Sequence, residues 1–139
     1  MTMDDETPAE SLRAWAKGVH PIEAGTELLI RGHFAQARRP WVNWDSESGL
    51  YWIDFEHIPE LMDAVSGGEG RFLRIAASIG ADVPVILGDE IPGLDRRNLA
   101  LVLSALAHAN GAHETGRSFD ADGRPQIIPP MNVWGDEDE

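Results

Sequence analysis

Apolar residues recur at helical spacing along most of the chain, and the breaks in that spacing divide it into segments. Thr7-Pro8-Ala9-Glu10 reads as a capping box with proline at the first helical position. Leu12, Trp15 and Val19 then fall near one face, with Gly18 as the stop. A second helix is predicted from Pro21 to about Phe34, with Ile22, Leu28 and Leu29 as core candidates. Gly25 and Gly32 weaken it by roughly 1 kcal/mol each. From Pro40 to Ile53 the period is lost. PWVNWD and LYWID are rich in aromatic and branched residues and flank the turn-like SESG, so a small β-hairpin is expected over about 40–53. Asp54 caps a short turn, and Pro59 starts a helix running through Met62 to about Val65.

Ser66-Gly67-Gly68-Glu69 repeats the capping-box pattern ahead of a helix from Gly67 to Ile79, whose apolar face is Phe72, Leu73, Ile75, Ala76 and Ile79. Gly80 ends it. Val83 to Leu87 is a short apolar run that suits a strand or a buried connector. Asp95 caps a last helix, Arg96 to Asn110, in which Leu99, Val102, Leu103 and Leu106 recur and Gly111 is the stop. Beyond Gly111 the chain is rich in proline and turn residues. It is expected to be extended and partly mobile, with Ile127, Ile128 and Trp134 available to pin it. These segments predict a mainly α, compact domain of about five helices with one small hairpin. It would span 8–111, between an acidic N-terminal tail (1–7) and an irregular acidic C-terminal tail (112–139).

The composition fits one domain with one core: 139 residues, 42% of them apolar. No apolar run approaches the roughly 20 residues that cross a bilayer. The opening MTMDDETPAE lacks the basic and apolar regions of a secretion signal, so a cytoplasmic chain is expected. Without cysteine there are no disulfides, thiolate metal sites or cysteine nucleophile. The formal charge of −13 is concentrated at the ends, since Asp4, Asp5, Glu6, Glu10 and residues 136–139 hold eight of the 24 acids and no base. The remainder is an ordinary surface balance. Acidic ends also open the alternative of a nucleic-acid mimic that inhibits a DNA-binding protein.

The stretch from Ser66 to Asp95 carries the densest candidate chemistry. It resembles the signature, Walker B and D-loop block of ABC-type ATPases. Ser66, Gly67 and Gly68 match the signature core, Glu69 follows, and Asp89 comes 20 residues after Glu69. The resemblance implies that Asp89 and Glu90 stand for the magnesium-binding Asp and the base Glu, and Gly93-Leu94-Asp95 for the D-loop. It covers about 30 of 139 residues, and no GxxxxGK[ST] accompanies it to cradle the phosphates. Helix capping explains the same letters, leaving Ser66, Gly67, Gly68, Asp89 and Glu90 as nucleotide-site residues only in an alternative reading, a degenerate nucleotide-related module. A second resemblance covers residues 25–111. TELLIR, the Trp-rich hairpin, the SGGE-capped helix and LDRRN before a helix ending HANG look like small uncharacterised proteins of actinobacteria and their mobile elements. It implies no site residue.

Other constellations are thinner. His108, His113 and Glu114 are the nearest approach to a metal cluster. His108 and His113 lie five apart across the helix stop at Gly111 and share no helical face, so no metal ligands or cofactor are expected. Ser104 and His108 are one turn apart, but a helix-interior serine usually bonds its own backbone, and no catalytic residue is assigned. Arg38, Arg39, Trp41, Trp44 and Trp52 mix bases with aromatics, as protein contacts do. Asp45, Glu47, Asp54 and Glu56 beside them would repel a phosphate backbone. With Trp134 they are the candidate partner-binding residues. The sequence therefore predicts a non-enzymatic interaction or regulatory accessory protein, with a mobile genetic element as its candidate origin, a protein partner, a homo-oligomer as one option, and neither nucleic acid nor membrane bound.

Overall fold

The computed structural model describes residues 5–62 and 67–135. Six α-helices and two small antiparallel hairpins make up the described chain, so the fold is mainly α with a small β part. Helix α1 is Ala9–Ala16 and α2 is His20–Arg31. Strands β1 (Val42–Asp45) and β2 (Leu50–Ile53) pair with Val42 opposite Ile53 and Trp44 opposite Tyr51, and Gly49 takes the positive φ that the turn requires. A 3₁₀ turn over Phe55–His57 leads into the one-turn helix α3, Ile58–Leu61. Helix α4 is Gly67–Gly80, α5 is the single turn Leu87–Glu90, and α6 is Arg96–Asn110. No described helix is long and apolar enough to cross a membrane.

Helix α2 lies between α4 and α6 and is the centre of the packing. Its Leu28 and Leu29 meet Phe72, Leu73, Ile75 and Ala76 of α4 and Val102 and Ala105 of α6 in one continuous core. Gly25 on α2 and Gly32 at its C-cap let aromatic rings approach the backbone. A Cβ at Gly25 would stand 3.0 Å from the Phe55 ring, and one at Gly32 would stand 2.5 Å from the Phe72 ring. Helix α1 covers β2, where the Ser11 hydroxyl accepts the Tyr51 amide (2.7 Å) and Trp15 packs on Trp52 and Phe55.

Several local expectations change. The first helix starts at Ala9 with no side-chain cap, because the N-cap position falls on Pro8, which has no side-chain acceptor; the Thr7 carbonyl accepts the Ala9 amide (2.8 Å). Ser66, the predicted cap of α4, lies outside the described residues. Helix α3 ends at Leu61 and does not run through Met62, whose backbone leaves the helical region (φ −92°, ψ 57°), and residues 63–65 of the expected continuation lie outside the described residues. The run Val83 to Leu87 forms neither a strand nor a buried connector, and Ile86 and Leu87 are exposed. On α6 the buried stripe is Val102, Ser104, Ala105 and His108, leaving Leu103 and Leu106 half-exposed. The cap at Asp95 is present, its carboxylate accepting the Asn98 amide at 2.7 Å.

The largest difference is after Gly111. The segment expected to be irregular contains a second hairpin, β3 (Gly116–Phe119) with β4 (Pro125–Ile128), Arg117 opposite Ile127 and Phe119 opposite Pro125. Residues 131–135 then run back over the helices as a strap. Met131 N–H donates to the Ala112 carbonyl (2.8 Å), Ser104 Oγ to Asn132 Oδ1 (2.9 Å) and Trp134 Nε1 to His108 Nδ1 (2.9 Å). Arg31 donates to the Gly135 carbonyl and lies 5.1 Å over the Trp134 ring. Trp134 thus pins the chain as expected. Ile127 and Ile128 do not, and the terminal acids 136–139 lie outside the described residues.

Candidate functional site

Helices α2 and α6 run antiparallel, which brings the start of one beside the end of the other. Arg97 near the start of α6 reaches the Arg31 carbonyl at the end of α2 (2.9 Å), and His20 at the start of α2 sits against Gly111. Gly111 adopts the left-handed conformation (φ 91°) that ends α6, and this turn folds His113 back onto the helix. His108 and His113 share no helical face, yet their rings stack with centroids 3.9 Å apart. The His20 ring meets His113 edge-on at 5.1 Å.

A cleft of about 250 Å³ opens here, lined by Arg13, Lys17, Glu23, Thr26, Glu27, His108, His113 and Glu114 among others. On its inner wall Glu27 holds Arg13 and Arg31 together, with Arg31 Nε 2.7 Å from Glu27 Oε2. Burial opposes the Glu27 charge, but the two guanidiniums prevail and hold its carboxyl below the usual range. Glu23 is likewise held low. Burial works against it, and the Gly18 amide (2.9 Å) and His108 (3.0 Å) outweigh that effect.

The hydrogen bonds decide the His108 tautomer. An indole N–H can only donate, so Trp134 makes His108 Nδ1 an acceptor. In the neutral ring the proton is then on Nε2, where it is donated to Glu23 Oε1. Both nitrogens of His108 are engaged. Those of His113 are not: Nδ1 is buried with no hydrogen-bond partner among the described residues, and Nε2 lies 3.6 Å from Glu114 Oε1. Burial, and next the adjoining His108 ring, push the His113 ring below its ordinary value, so it stays neutral near pH 7.

The residues singled out in the sequence have varied surroundings. Trp41 is 1% exposed, its indole donating to the Phe34 carbonyl (2.7 Å), so it belongs to the core. Trp52 is half-buried against Trp15, whereas Trp44 is 56% exposed and touches Tyr51 edge-on. Arg38 faces Asp5 (3.3 Å), and Arg39 is held by Gln36 (2.8 Å) over the Phe34 ring. Gly67 and Gly68 form the first turn of α4. Asp89 and Glu90 lie on α5, and Glu90 pairs with Arg74 (3.0 Å). The cleft beside them is lined by Arg74, Pro84, Val85 and Ile86, without either glycine. Ser104 bonds Asn132 instead of its own backbone. Sequence reasoning missed His20, Glu23 and Thr26, since only the antiparallel α2–α6 packing brings them to His113.

The second hairpin is the other distinctive surface. Cross-strand partners share a face, so Arg117, Phe119, Pro125 and Ile127 lie together. Phe119 is 69% and Ile127 74% exposed, and Met131 and Val133 follow in the open. Asp120 N–H donates to the Arg124 carbonyl (2.9 Å), which makes that pair hydrogen-bonded. Antiparallel ladders alternate, so Ser118 and Gln126 bond each other next. The main-chain groups of Arg117 and Phe119 on β3, and of Pro125 and Ile127 on β4, then turn outward. Proline has no N–H, so the β4 edge lacks a donor that the β3 edge keeps. No protein-family model, curated protein or solved structure matches the chain.

Proposed function

We propose that the chain is a non-enzymatic interaction domain whose β3 edge accepts an extended segment of a partner protein, in a regulatory accessory role. The observation that carries this reading is the hairpin face of Phe119 and Ile127, exposed at 69% and 74% on a two-stranded sheet. Exposed apolar side chains on a small domain are a recurring mark of a protein contact. An edge with outward N–H and C=O groups is the matching mark of strand addition. Arg117 stands beside Phe119 on the same face and completes an aromatic–arginine pairing favoured at interfaces. The helical body, through the strap from Met131 to Gly135, supplies a rigid base for the hairpin.

A random-peptide display library panned against the full chain tests the reading. Enriched peptides are expected to have alternating apolar residues and to lose at least about tenfold in affinity toward Phe119→Asp and Ile127→Asp proteins, because central apolar contacts dominate such interfaces. Both side chains are exposed, so these substitutions leave the helical core intact. Peptides that bind the two variants as well as the native chain contradict the proposal. Sedimentation showing a dimer abolished by Phe119→Asp would reassign the face to self-association and contradict it as well.

A further inference from the structure

We infer that His20, His113 and Glu114 form a binding site for a divalent first-row transition ion of the zinc class, tying the start of α2 to the segment that leads into β3. The inference stands apart from the partner-strand reading and rests on different residues. Glu114 Oε1 lies 3.6 Å from His113 Nε2 and 3.8 Å from His20 Nε2, and one ligand atom from each residue lies within 4.8 Å of the others. Zinc holds nitrogen and oxygen at about 2.0–2.1 Å, so tetrahedral neighbours stand roughly 3.3 Å apart. A contraction of a few tenths of an ångström brings the two pairs that share Glu114 Oε1 to that spacing. The side chain of Glu114 is 63% exposed and His20 is part-exposed, so both can make that adjustment.

The surroundings single out this set over its neighbour. Glu23, His108 and His113 also cluster, but His108 already has Trp134 on one nitrogen and Glu23 on the other. Glu23 also accepts the Gly18 amide. That pair is better suited to positioning: the stacked His108 ring fixes the plane of His113. On His113 the nitrogen that faces Glu114 is Nε2, while Nδ1 is buried without a hydrogen-bond partner among the described residues. Two imidazoles and one carboxylate favour zinc-class ions over calcium or magnesium, which prefer oxygen shells. Three protein ligands leave a fourth position open toward solvent.

Zinc titrated into the tag-free full chain by calorimetry tests the inference, with cobalt(II) as a visible-absorption reporter of geometry. One equivalent of zinc is expected to bind, and cobalt is expected to give the absorption of a tetrahedral nitrogen–oxygen site. His20→Ala and Glu114→Gln should each weaken zinc by at least about tenfold, while His57→Ala, in an exposed pair with Asp54, should leave it unchanged. His113→Ala should abolish the site; should that variant fail to fold, the two exposed-ligand variants decide the matter. Failure of the native chain to take up zinc, or zinc affinity unchanged in both His20→Ala and Glu114→Gln, overturns the inference. The latter result would assign the ion to surface carboxylates only. Neither outcome bears on peptide binding at Phe119, so the two readings fail independently.

Discussion

Glu27 shows how much a single part-buried carboxylate organises at the residue scale. Its side chain is 12% exposed and accepts from Arg13 on α1 and Arg31 at the end of α2, so it joins two helices and steadies the guanidinium that also holds the strap. In the fold its carboxyl titrates below the ordinary value of 4.5. The unfolded chain therefore takes up that proton first as pH falls. The resulting stability is present in full above about pH 4.5 and is lost as pH drops through the lower folded value. Glu27→Gln should cost about 1–3 kcal/mol at pH 7 by urea denaturation, and the gap from the native protein should close on acidification. A gap of equal size at pH 7 and about pH 3 would show that charge is not the cause. The tryptophans mark where residue-level reading stopped. Composition could say that some would be buried and some open, but only Trp41's bond to the Phe34 carbonyl and Trp44's position on β1 separate the two.

At the scale of elements, helices with strong end signals were legible. The Asp95 cap, the Gly111 stop and the apolar faces of α2 and α4 all appear as the sequence suggested, as does the first hairpin with Gly49 in its turn. Gly25 and Gly32 read as weakening α2 because local propensity omits the tertiary contacts that need them. Gly32 and Gly80 leave room for Phe72 and Phe55, and an added Cβ at either would come within 2.5 Å of a ring. Gly32→Ala and Gly80→Ala should therefore each destabilise by about 1–3 kcal/mol by overpacking, despite a gain in helix propensity. Gly68 differs, since a Cβ there meets only the Gly93 carbonyl at an ordinary 3.7 Å. Gly68→Ala should stabilise by about 0.5–1 kcal/mol. Thermal melts of the three variants check this ordering, and a Gly80→Ala protein as stable as the native one would contradict the packing argument. The face of α6 was misjudged for a similar reason. Apolar spacing allowed Leu103 and Leu106 inward, but contact with α2 and the strap selects the small and polar stripe of Val102, Ser104, Ala105 and His108.

For the whole molecule, the segment after Gly111 changes the picture most. Prolines and turn residues read as a tail because its strands are four residues each and carry little alternation of their own. The order comes from long-range bonds of Met131, Asn132 and Trp134 to the helices, which local pattern cannot show. The histidine cleft was illegible for the same reason: His20 and His113 are distant in sequence, and helix pairing alone joins them. A helical body, a strapped hairpin and an open β3 edge together make an interaction domain the reading that accounts for the exposed surface. Residue-resolved amide exchange by NMR, with and without a saturating display-selected peptide, tests this most directly. The account predicts slow exchange at Ser118 in both states and fast exchange at Arg117 and Phe119 in the free chain, slowing at least about tenfold in the complex as the outward amides gain partners. Arg117 and Phe119 amides that exchange equally fast with and without the peptide would contradict it.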